Sequence, residues 1–176
     1  MVKRVAKTHS FSVWKRKISS KGKPFYLEYV SLNEASESVM IIPFTSKMEI
    51  LFIKKYFPAE DTIELVLPGG KIKKGQSKKQ TANRELIEEI GFGAKKLKHL
   101  TTLNILPAYF VGKTYAFLAE DLYKSSKFKP DEREELSVVK MPLKKAISYI
   151  KKGKIKDART TATILYLTTF FPRSLN

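Results

Sequence analysis

Residues 69–92 read GGKIKKGQSKKQTANRELIEEIGF, a glycine-rich loop that leads directly into a short amphipathic segment. Ser77 followed three residues later by Gln80 forms a capping box, which predicts that a helix begins here. Gly91 suits the left-handed conformation that ends many helices, so the same helix is expected to stop at this residue. The stretch therefore predicts a loop and a helix that form one unit.

Three carboxylates lie close together on this predicted helix. Glu85 and Glu89 are four residues apart and Glu88 is three residues from Glu85, so all three project from one region of its surface. Like charges at this spacing cost an isolated helix roughly 0.2–0.5 kcal/mol per pair. A hard divalent ion such as Mg²⁺ suits an all-oxygen set, because it takes one or two carboxylates together with waters and phosphate oxygens. The alternative is a glutamate-rich surface helix without a ligand.

The spacing of the stretch resembles the Nudix box, in which glycines, an arginine and glutamates stand at fixed offsets. One position departs from the pattern, because Gln76 stands where the family has its first glutamate. The side-chain carbonyl of Gln76 can still accept a hydrogen bond from Arg84. Because the glutamates that the family uses to bind metal are intact, we expect an active enzyme. The positions that match are Gly70, Arg84, Glu85, Leu86, Glu88, Glu89, Gly91 and Phe92.

Composition limits the class of protein. The chain has 176 residues, 43% of them hydrophobic, which suits one domain that buries about 70% of its unfolded surface. The absence of cysteine excludes disulfides, thiolate zinc sites and a cysteine nucleophile. No apolar run approaches the length of a membrane span and the basic start lacks a signal-peptide pattern, so we expect a cytoplasmic protein without a membrane partner.

The net charge is strongly positive, at +17 from 34 basic and 17 acidic residues. Such a field attracts nucleotides, nucleic acids and acidic lipids without selecting among them. Nucleic-acid binding is permitted but not favoured, because no nucleic-acid motif accompanies the charge. His9 and His99 are too few and too far apart to indicate an imidazole metal site.

The N-terminal part has the pattern of a small antiparallel sheet. Residues 1–9 resemble a loose basic tail, whereas residues 11–18 and 24–30 have strand character on either side of a turn. A polar stretch follows, which predicts an N-terminal sheet over residues 1–37 and a main domain over residues 38–176. The aromatic side chains of the hairpin are expected to pack, with base stacking as the alternative.

The main domain mixes strands and helices. The apolar run 39–44 predicts a strand buried on both faces, and residues 49–56 are expected to be its hairpin partner. Pro142 suits the first turn of a second helix, and Asp157 begins a last one. Helices placed so irregularly among strands predict an α+β fold rather than a doubly wound sheet. Further strands are predicted at 62–67, 97–105, 113–120 and 136–140, and a long loop at 121–135.

An acidic segment interrupts this basic chain late in the sequence. Residues 131–135 read DEREE and hold four of the seventeen acids. Hydrolysis of a phosphoanhydride needs a metal, a water made nucleophilic and a base that takes its proton. The segment is a candidate source of that base, and a solvated charge run is the alternative.

The resemblance to the Nudix family implies an α/β/α sandwich with a mixed sheet and a divalent metal site. It implies that Mg²⁺, for which Mn²⁺ can substitute, is bound by Glu85 and Glu89. The backbone carbonyl of Gly69 and the carboxylate of Glu134 are implied as further ligands.

The same resemblance implies how the chemistry is divided. Arg84 would orient the glutamates through hydrogen bonds, and Glu88 would add a contact to metal or water. Glu132, in the late acidic segment, would act as the base.

The resemblance is greatest to the branch of the family that comprises ADP-compounds hydrolases and ADP-ribose pyrophosphatases. Pro107, fifteen residues after Phe92, stands at a place typical of ADP-ribose hydrolases, and Tyr109 at one typical of diadenosine polyphosphate hydrolases. Hydrolysis of ADP-ribose, diadenosine polyphosphates or NADH to AMP or ADP is implied. The stretches that resemble this branch are 82–86, 91–94, 108–110 and 119–123.

Substrate contacts and a dimer are also implied. Lys54 stands where relatives have a substrate-binding arginine, and it keeps the charge but loses the bidentate fork. Glu64 and Tyr109 match further substrate-binding places. In relatives the N-terminal sheet exchanges across a homodimer, which assigns residues 25–30 a part in the partner's nucleotide pocket.

Two alternative functions remain open. One is a non-catalytic Nudix module that senses a nucleotide or binds RNA, and the other is an enzyme that trims RNA caps or triphosphates.

Overall fold

The computed structural model describes residues 2–126 and 137–172. No helix in these two ranges is long and apolar enough to cross a membrane. The strands are β1 Val2–Lys7, β2 Phe11–Ser20, β3 Lys23–Leu32, β4 Glu37–Pro43, β5 Glu49–Phe57, β6 Thr62–Val66, β7 Gly69–Lys71, β8 Phe92–Asn104, β9 Phe110–Val111, β10 Lys113–Lys124 and β11 Ser137–Pro142. The helices are α1 Lys78–Ile90, α2 Leu143–Lys151 and α3 Ala158–Phe170.

The N-terminal sheet has the strand order β1–β2–β3–β9. The hairpin predicted for β2 and β3 is confirmed, but the prediction of a loose tail over residues 1–9 is wrong. Val2–Lys7 forms a strand that pairs antiparallel with β2, and all its side chains are exposed. Backbone hydrogen bonds therefore hold β1 at the edge of the sheet. Because none of its side chains is buried, its sequence lacks the hydrophobic periodicity from which a strand could be predicted. β9 extends the sheet through the parallel pair Val30–Phe110.

Two further sheets form the main body, with orders β7–β4–β10–β8 and β11–β5–β6. The first is mixed, since β10 is parallel to β4 and antiparallel to β8. The prediction that residues 49–56 form a hairpin with residues 39–44 is wrong, because β5 pairs with β6 and β11. Phe44, the residue after β4, forms an isolated bridge with Ile50. Both edges of β4 are instead taken by β7 and β10, which come later in the chain.

The central strands direct alternate side chains into two cores. On β4, Val39 and Ile41 pack on the α1 side, whereas Met40 and Ile42 pack on the side of α2 and α3. This alternation confirms the strand buried on both faces, the α+β class and the α/β/α sandwich. The helices contribute Ala82, Leu86 and Ile90 to the first core and Ala146, Ile164 and Leu167 to the second.

The caps predicted for the first helix are confirmed. Ser77 Oγ accepts a hydrogen bond from the Gln80 backbone N–H at 3.2 Å, and Gln80 Oε1 accepts one from the Ser77 N–H at 2.9 Å. Gly91 ends the helix with a φ of 75°. Since glycine adopts this left-handed conformation without a steric penalty, α1 stops here and β8 begins at once.

The later elements differ from the sequence prediction mainly in their bounds. β8 begins before residue 97, and β10 continues to Lys124 rather than ending near residue 120. The last helix begins after Asp157, whose Oδ1 accepts from the Thr160 N–H at 2.7 Å. Thr160 Oγ1 accepts in turn from the Leu67 N–H at 3.2 Å. This bond joins the start of α3 to the segment that enters the glycine loop.

Candidate metal and nucleotide site

A cavity of about 310 Å³ opens beside the glycine loop. Gly69 and Gly70 line it from β7, and Phe110 lines it from β9. Apolar residues of β4, β5 and β6 form much of the remaining wall. The cations that line it are Lys55, Lys71, Lys113 and Arg159. A pocket with apolar walls and several cations suits a nucleotide, whose base is apolar on its faces and whose phosphates are anionic.

Two carboxylates of α1 lie directly behind the glycine wall of this cavity. The Gly69 N–H donates a 2.7 Å hydrogen bond to Glu89 Oε2. The Glu85 carboxylate lies so close to Gly70 that a Cβ on that glycine would overlap it. Glu85 is 8% exposed and Glu89 is 6% exposed, because the apolar stripe of α1 packs this side of the helix against the central strands.

Arg84 connects the carboxylates to one another. Its Nη2 donates to Glu85 Oε1 at 2.6 Å, and its Nη1 donates to Glu88 Oε2 at 2.5 Å. Nη2 also donates to the backbone carbonyl of Lys71 at 3.1 Å. The planar guanidinium therefore holds two glutamates and the glycine loop in one arrangement, which a lysine could not do.

Gln76 supports Arg84 from the loop side. Its Oε1 accepts from Arg84 Nε at 3.3 Å and from Thr81 Oγ1 at 3.2 Å. The hydrogen bond predicted from the sequence is thus present. Because Gln76 is neutral, its bond to Arg84 is weaker than one from a carboxylate, and the arginine charge acts mainly on Glu85 and Glu88.

The electrostatics of the site favour an additional cation. Burial raises the pKa of Glu85 above its ordinary value, although the adjacent Arg84 opposes the rise. Lys55 Nζ lies 3.5 Å from Glu89 Oε1. Three carboxylates and two cations, Glu85, Glu88 and Glu89 with Arg84 and Lys55, give these five side chains a formal charge of −1. The net negative charge, which comes from the more exposed Glu88, is offset when a metal ion binds.

The chemistry of the donor set fits a hard divalent ion. Glu85 and Glu89 can supply carboxylate oxygens, and the Gly69 carbonyl belongs to the same wall. Within residues 2–126 and 137–172, no three carboxylate, imidazole or thiol side chains form a metal-binding group. An ion that takes one or two carboxylates and completes its octahedron with waters and substrate phosphates needs no third one.

The residues predicted to contact substrate lie in different places. Lys54 is exposed and lies on the face of β5 opposite to Lys55, away from α1. Glu64 lies directly across the β5–β6 pair from Lys55, and its side chain is mostly buried. Tyr109 is 70% exposed. Their sequence neighbours Lys55 and Phe110 line the cavity, and the substrate-binding roles of Lys54, Glu64 and Tyr109 stay predictions.

The predicted base Glu132 and the predicted ligand Glu134 lie outside the described residues. Their roles therefore stay predictions. The described part of the site comprises the box helix, the glycine loop and the cavity.

Sequence reasoning missed two cations at the cavity, Lys55 and Arg159. A signal existed for Lys55, because Ile53 belongs to the core on the α1 side and residues two apart on a strand share a face. Arg159 had no local signal. It lies two residues into α3, where Asp157 Oδ2 accepts from its Nε and Nη2 at 3.2 Å, and only tertiary packing brings that helix end to the cavity.

Comparisons with known proteins agree with this geometry. A model of the NUDIX domain matches residues 35–164. An ADP compounds hydrolase of Escherichia coli (strain K12) is 35% identical over 128 residues, which cover 73% of this chain and 68% of that protein. An ADP-ribose pyrophosphatase of Bacillus subtilis (strain 168) is 34% identical over 132 residues, which cover 74% of this chain and 71% of that protein.

The fold has a solved counterpart. A crystal structure of an ADP compounds hydrolase superposes with a TM-score of 0.87 at 30% sequence identity. The match covers 99% of this chain and 93% of the other. The similarity therefore extends over the N-terminal sheet as well as the sandwich.

Proposed function

The chain belongs to the Nudix family, and from this premise we propose that it hydrolyses a phosphoanhydride bond in ADP-containing compounds and releases AMP or ADP. It is a pyrophosphohydrolase that acts on nucleoside diphosphate derivatives. The proposed substrates are ADP-ribose, diadenosine polyphosphates and NADH. Similarity to an ADP compounds hydrolase and to an ADP-ribose pyrophosphatase supports this choice.

The observation that supports the proposal most directly is the meeting of opposite charges at one cavity wall. Glu85 and Glu89 are buried behind the glycine loop, while Lys55, Lys71 and Arg159 line the cavity in front of it. A diphosphate group suits this arrangement, because the cations attract its anionic oxygens and a metal ion can join those oxygens to the carboxylates.

The residues that would hold the metal are Glu85, Glu89 and the Gly69 carbonyl, with Glu134 as a further proposed ligand. When bound, Mg²⁺ or Mn²⁺ neutralises phosphate charge and makes water more acidic. The hydrogen bond from the Gly69 N–H fixes one oxygen of Glu89 and so limits the directions that its other oxygen can take.

The remaining steps are assigned to the chain's own side chains. Arg84 holds Glu85 and Glu88 in position through its two terminal nitrogens. Glu88 is the more exposed of these glutamates, which suits a contact to the metal or to water. Glu132 is proposed to accept the proton of the attacking water as a general base.

We also propose that the protein is a homodimer formed through the N-terminal sheet of residues 1–37, and that residues 38–176 are the catalytic domain. We propose that the protein is located in the cytoplasm. Phe25 and Leu27 lie on one face of β3 and are 41% and 49% exposed in the single chain. A second copy would bury this apolar surface. Light scattering should give twice the chain mass for the wild type and less for a Phe25→Ser, Leu27→Ser variant.

A hydrolysis panel tests the enzyme assignment. The purified protein is incubated with Mg²⁺ and each proposed substrate, and products are separated by chromatography. Glu89→Gln should lower kcat/KM by at least about 100-fold, because a metal ligand is lost, and should leave the melting temperature near that of the wild type. Glu60→Gln removes an exposed glutamate and is the matched control. Undiminished turnover in Glu89→Gln would refute the metal assignment.

The same panel separates the alternatives. Binding of ADP-ribose without any Mg²⁺-dependent product would favour a non-catalytic module that senses a nucleotide or binds RNA. Preference for 5′-phosphorylated RNA over the small dinucleotides would favour an enzyme that trims RNA ends, for which the net charge of +17 is well suited.

A further inference from the structure

Lys55 lies between the buried glutamates and the cavity. Its Nζ is 3.5 Å from Glu89 Oε1, and its side chain, 31% exposed, also lines the cavity. The other oxygen of Glu89 accepts the hydrogen bond from the Gly69 N–H. The Lys55 ammonium therefore competes with any divalent cation that approaches Glu89 Oε1.

We propose that Lys55 changes partners when the metal binds, contacting Glu89 in the metal-free protein and a phosphate of the nucleotide in the metal-loaded one. The inference rests on the proposed function, because it takes Glu89 as a metal ligand and the cavity as the phosphate site. A lysine suits the role, since its ammonium is a point charge on a flexible stem that can turn without moving the backbone. Metal and nucleotide then strengthen each other's binding.

Two other cations that line the cavity, Arg159 and Lys71, have partners that metal binding leaves in place. Arg159 donates to Asp157 Oδ2 through both Nε and Nη2. Lys71 Nζ lies 3.9 Å from Glu34 Oε2. Asp157 and Glu34 both lie outside the box helix, so a cation on that helix does not displace either pair. Lys55 contacts a proposed metal ligand and also lines the cavity, so it can couple the two sites.

Lys96 is a matched control. It has the same charge and also pairs with a carboxylate, with its Nζ 2.9 Å from Asp121 Oδ2, but neither residue lines the cavity. A change that acts through net charge alone would appear equally at both lysines. A change that acts through Glu89 would appear at Lys55 alone.

The first measurement is a titration with Mn²⁺ in the absence of nucleotide. Free Mn²⁺ is quantified by its electron paramagnetic resonance signal. Lys55→Met should bind Mn²⁺ about three- to tenfold more tightly than the wild type, because one competing ion pair is removed. Lys96→Met should bind as the wild type does. Unchanged or weaker binding in Lys55→Met, or a wild type that binds no Mn²⁺, overturns the proposal.

The second measurement is calorimetric titration with ADP, in EDTA and in Mg²⁺. Lys55→Met should weaken ADP binding about tenfold in Mg²⁺ and less than about twofold in EDTA, because the ammonium faces the phosphates only after it leaves Glu89. Lys55→Arg keeps the charge and should retain most of the Mg²⁺-dependent gain, which separates lost charge from lost packing. An equal loss of ADP affinity under both conditions overturns the exchange of partners.

These measurements do not depend on turnover. If the wild type fails to hydrolyse every proposed substrate while both titrations behave as expected, the proposed reaction fails and the role of Lys55 stands. If hydrolysis is present and either titration gives the contrary result, the enzyme assignment stands and the role of Lys55 fails. Melting curves of each variant, compared with the wild type, exclude a folding defect as the cause.

Discussion

Alanine substitutions at the two adjacent glycines of the loop should differ in how much they destabilise the fold. Gly69 and Gly70 both lack the space for a Cβ, but the atoms in the way differ. At Gly69 the new methyl would overlap the carbonyl oxygen of Val39 and lie 3.0 Å from Met40 Cα, which are backbone atoms of the paired strand β4. At Gly70 it would meet the carboxylate of Glu85, which is the far end of a flexible side chain.

The two substitutions should therefore differ in cost. Gly69→Ala must push β7 away from β4, which costs about 1–3 kcal/mol for overpacking and about 1 kcal/mol for a weakened hydrogen bond. At about 2–4 °C per kcal/mol for a chain of this size, the melting temperature should fall by about 5–15 °C. Gly70→Ala moves Glu85 off its rotamer at about 0.5–1.5 kcal/mol. Alanine offsets part of that cost by about 0.4–1 kcal/mol through the unfolded chain, so the melting temperature should change by less than about 5 °C.

Function should fall in both variants, because Gly69 is itself a proposed metal ligand and holds Glu89 through its N–H. In Gly70→Ala, however, function should fall with little loss of stability. Displacing a metal-site carboxylate by about 1 Å lowers catalysis on the order of 100-fold, so Gly70→Ala should be folded but nearly inactive and should bind Mn²⁺ weakly. Differential scanning calorimetry, Mn²⁺ titration and the hydrolysis assay measure the three quantities on the same preparations. Wild-type Mn²⁺ affinity and turnover in Gly70→Ala would refute the placement of Glu85, and a wild-type melting temperature in Gly69→Ala would refute the close β4–β7 pairing.

Three further changes test single contacts. Burial raises the pKa of Glu85, so its protonated form stabilises the metal-free fold at low pH, and that stability is lost as pH rises through the folded-state pKa. In EDTA, Glu85→Gln should therefore lose less stability than the wild type as pH rises above 4.5, and an identical pH profile would contradict this. Gln76→Glu adds a carboxylate beside Arg84 and should tighten Mn²⁺ binding about two- to tenfold, with weaker binding as the contrary result. Thr160→Val leaves the buried Leu67 N–H without its acceptor and should lower the melting temperature by about 2–10 °C. Thr163→Val, which removes only a 3.8 Å contact to a sulfur, is its control and should cost less.

The features that could be predicted from the sequence are those that short stretches encode. The capping box at Ser77 and the end at Gly91 depend on residues within one turn of the helix, and the structure reproduces both. The apolar run of β4 predicted a strand buried on both faces, because a strand that alternates between two cores needs hydrophobic side chains at every position. The hydrogen bond between Gln76 and Arg84 was implied by the resemblance to the Nudix box, and the structure contains it.

The errors concern pairings between distant parts of the chain. β1 has exposed side chains throughout, so its position depends on backbone hydrogen bonds to β2 and has no hydrophobic pattern. β5 was assigned to β4 because the two are adjacent in sequence, but the parallel strand β10 takes that edge. Nothing local to β4 indicates a partner more than seventy residues away, as in the pair Val39–Tyr115.

The box helix, the loop before it, the spacing of its carboxylates and the α+β class follow from the sequence alone, because periodicity, caps and spacing are local properties. What lies around those carboxylates depends on the tertiary structure. Packing buries Glu85 and Glu89 behind the glycines, the pleat of β5 places Lys55 at the cavity, and the start of α3 brings Arg159 to it. Burial and charge pairing arise from contacts between elements far apart in the chain, and the electrostatics of the site depend on those contacts.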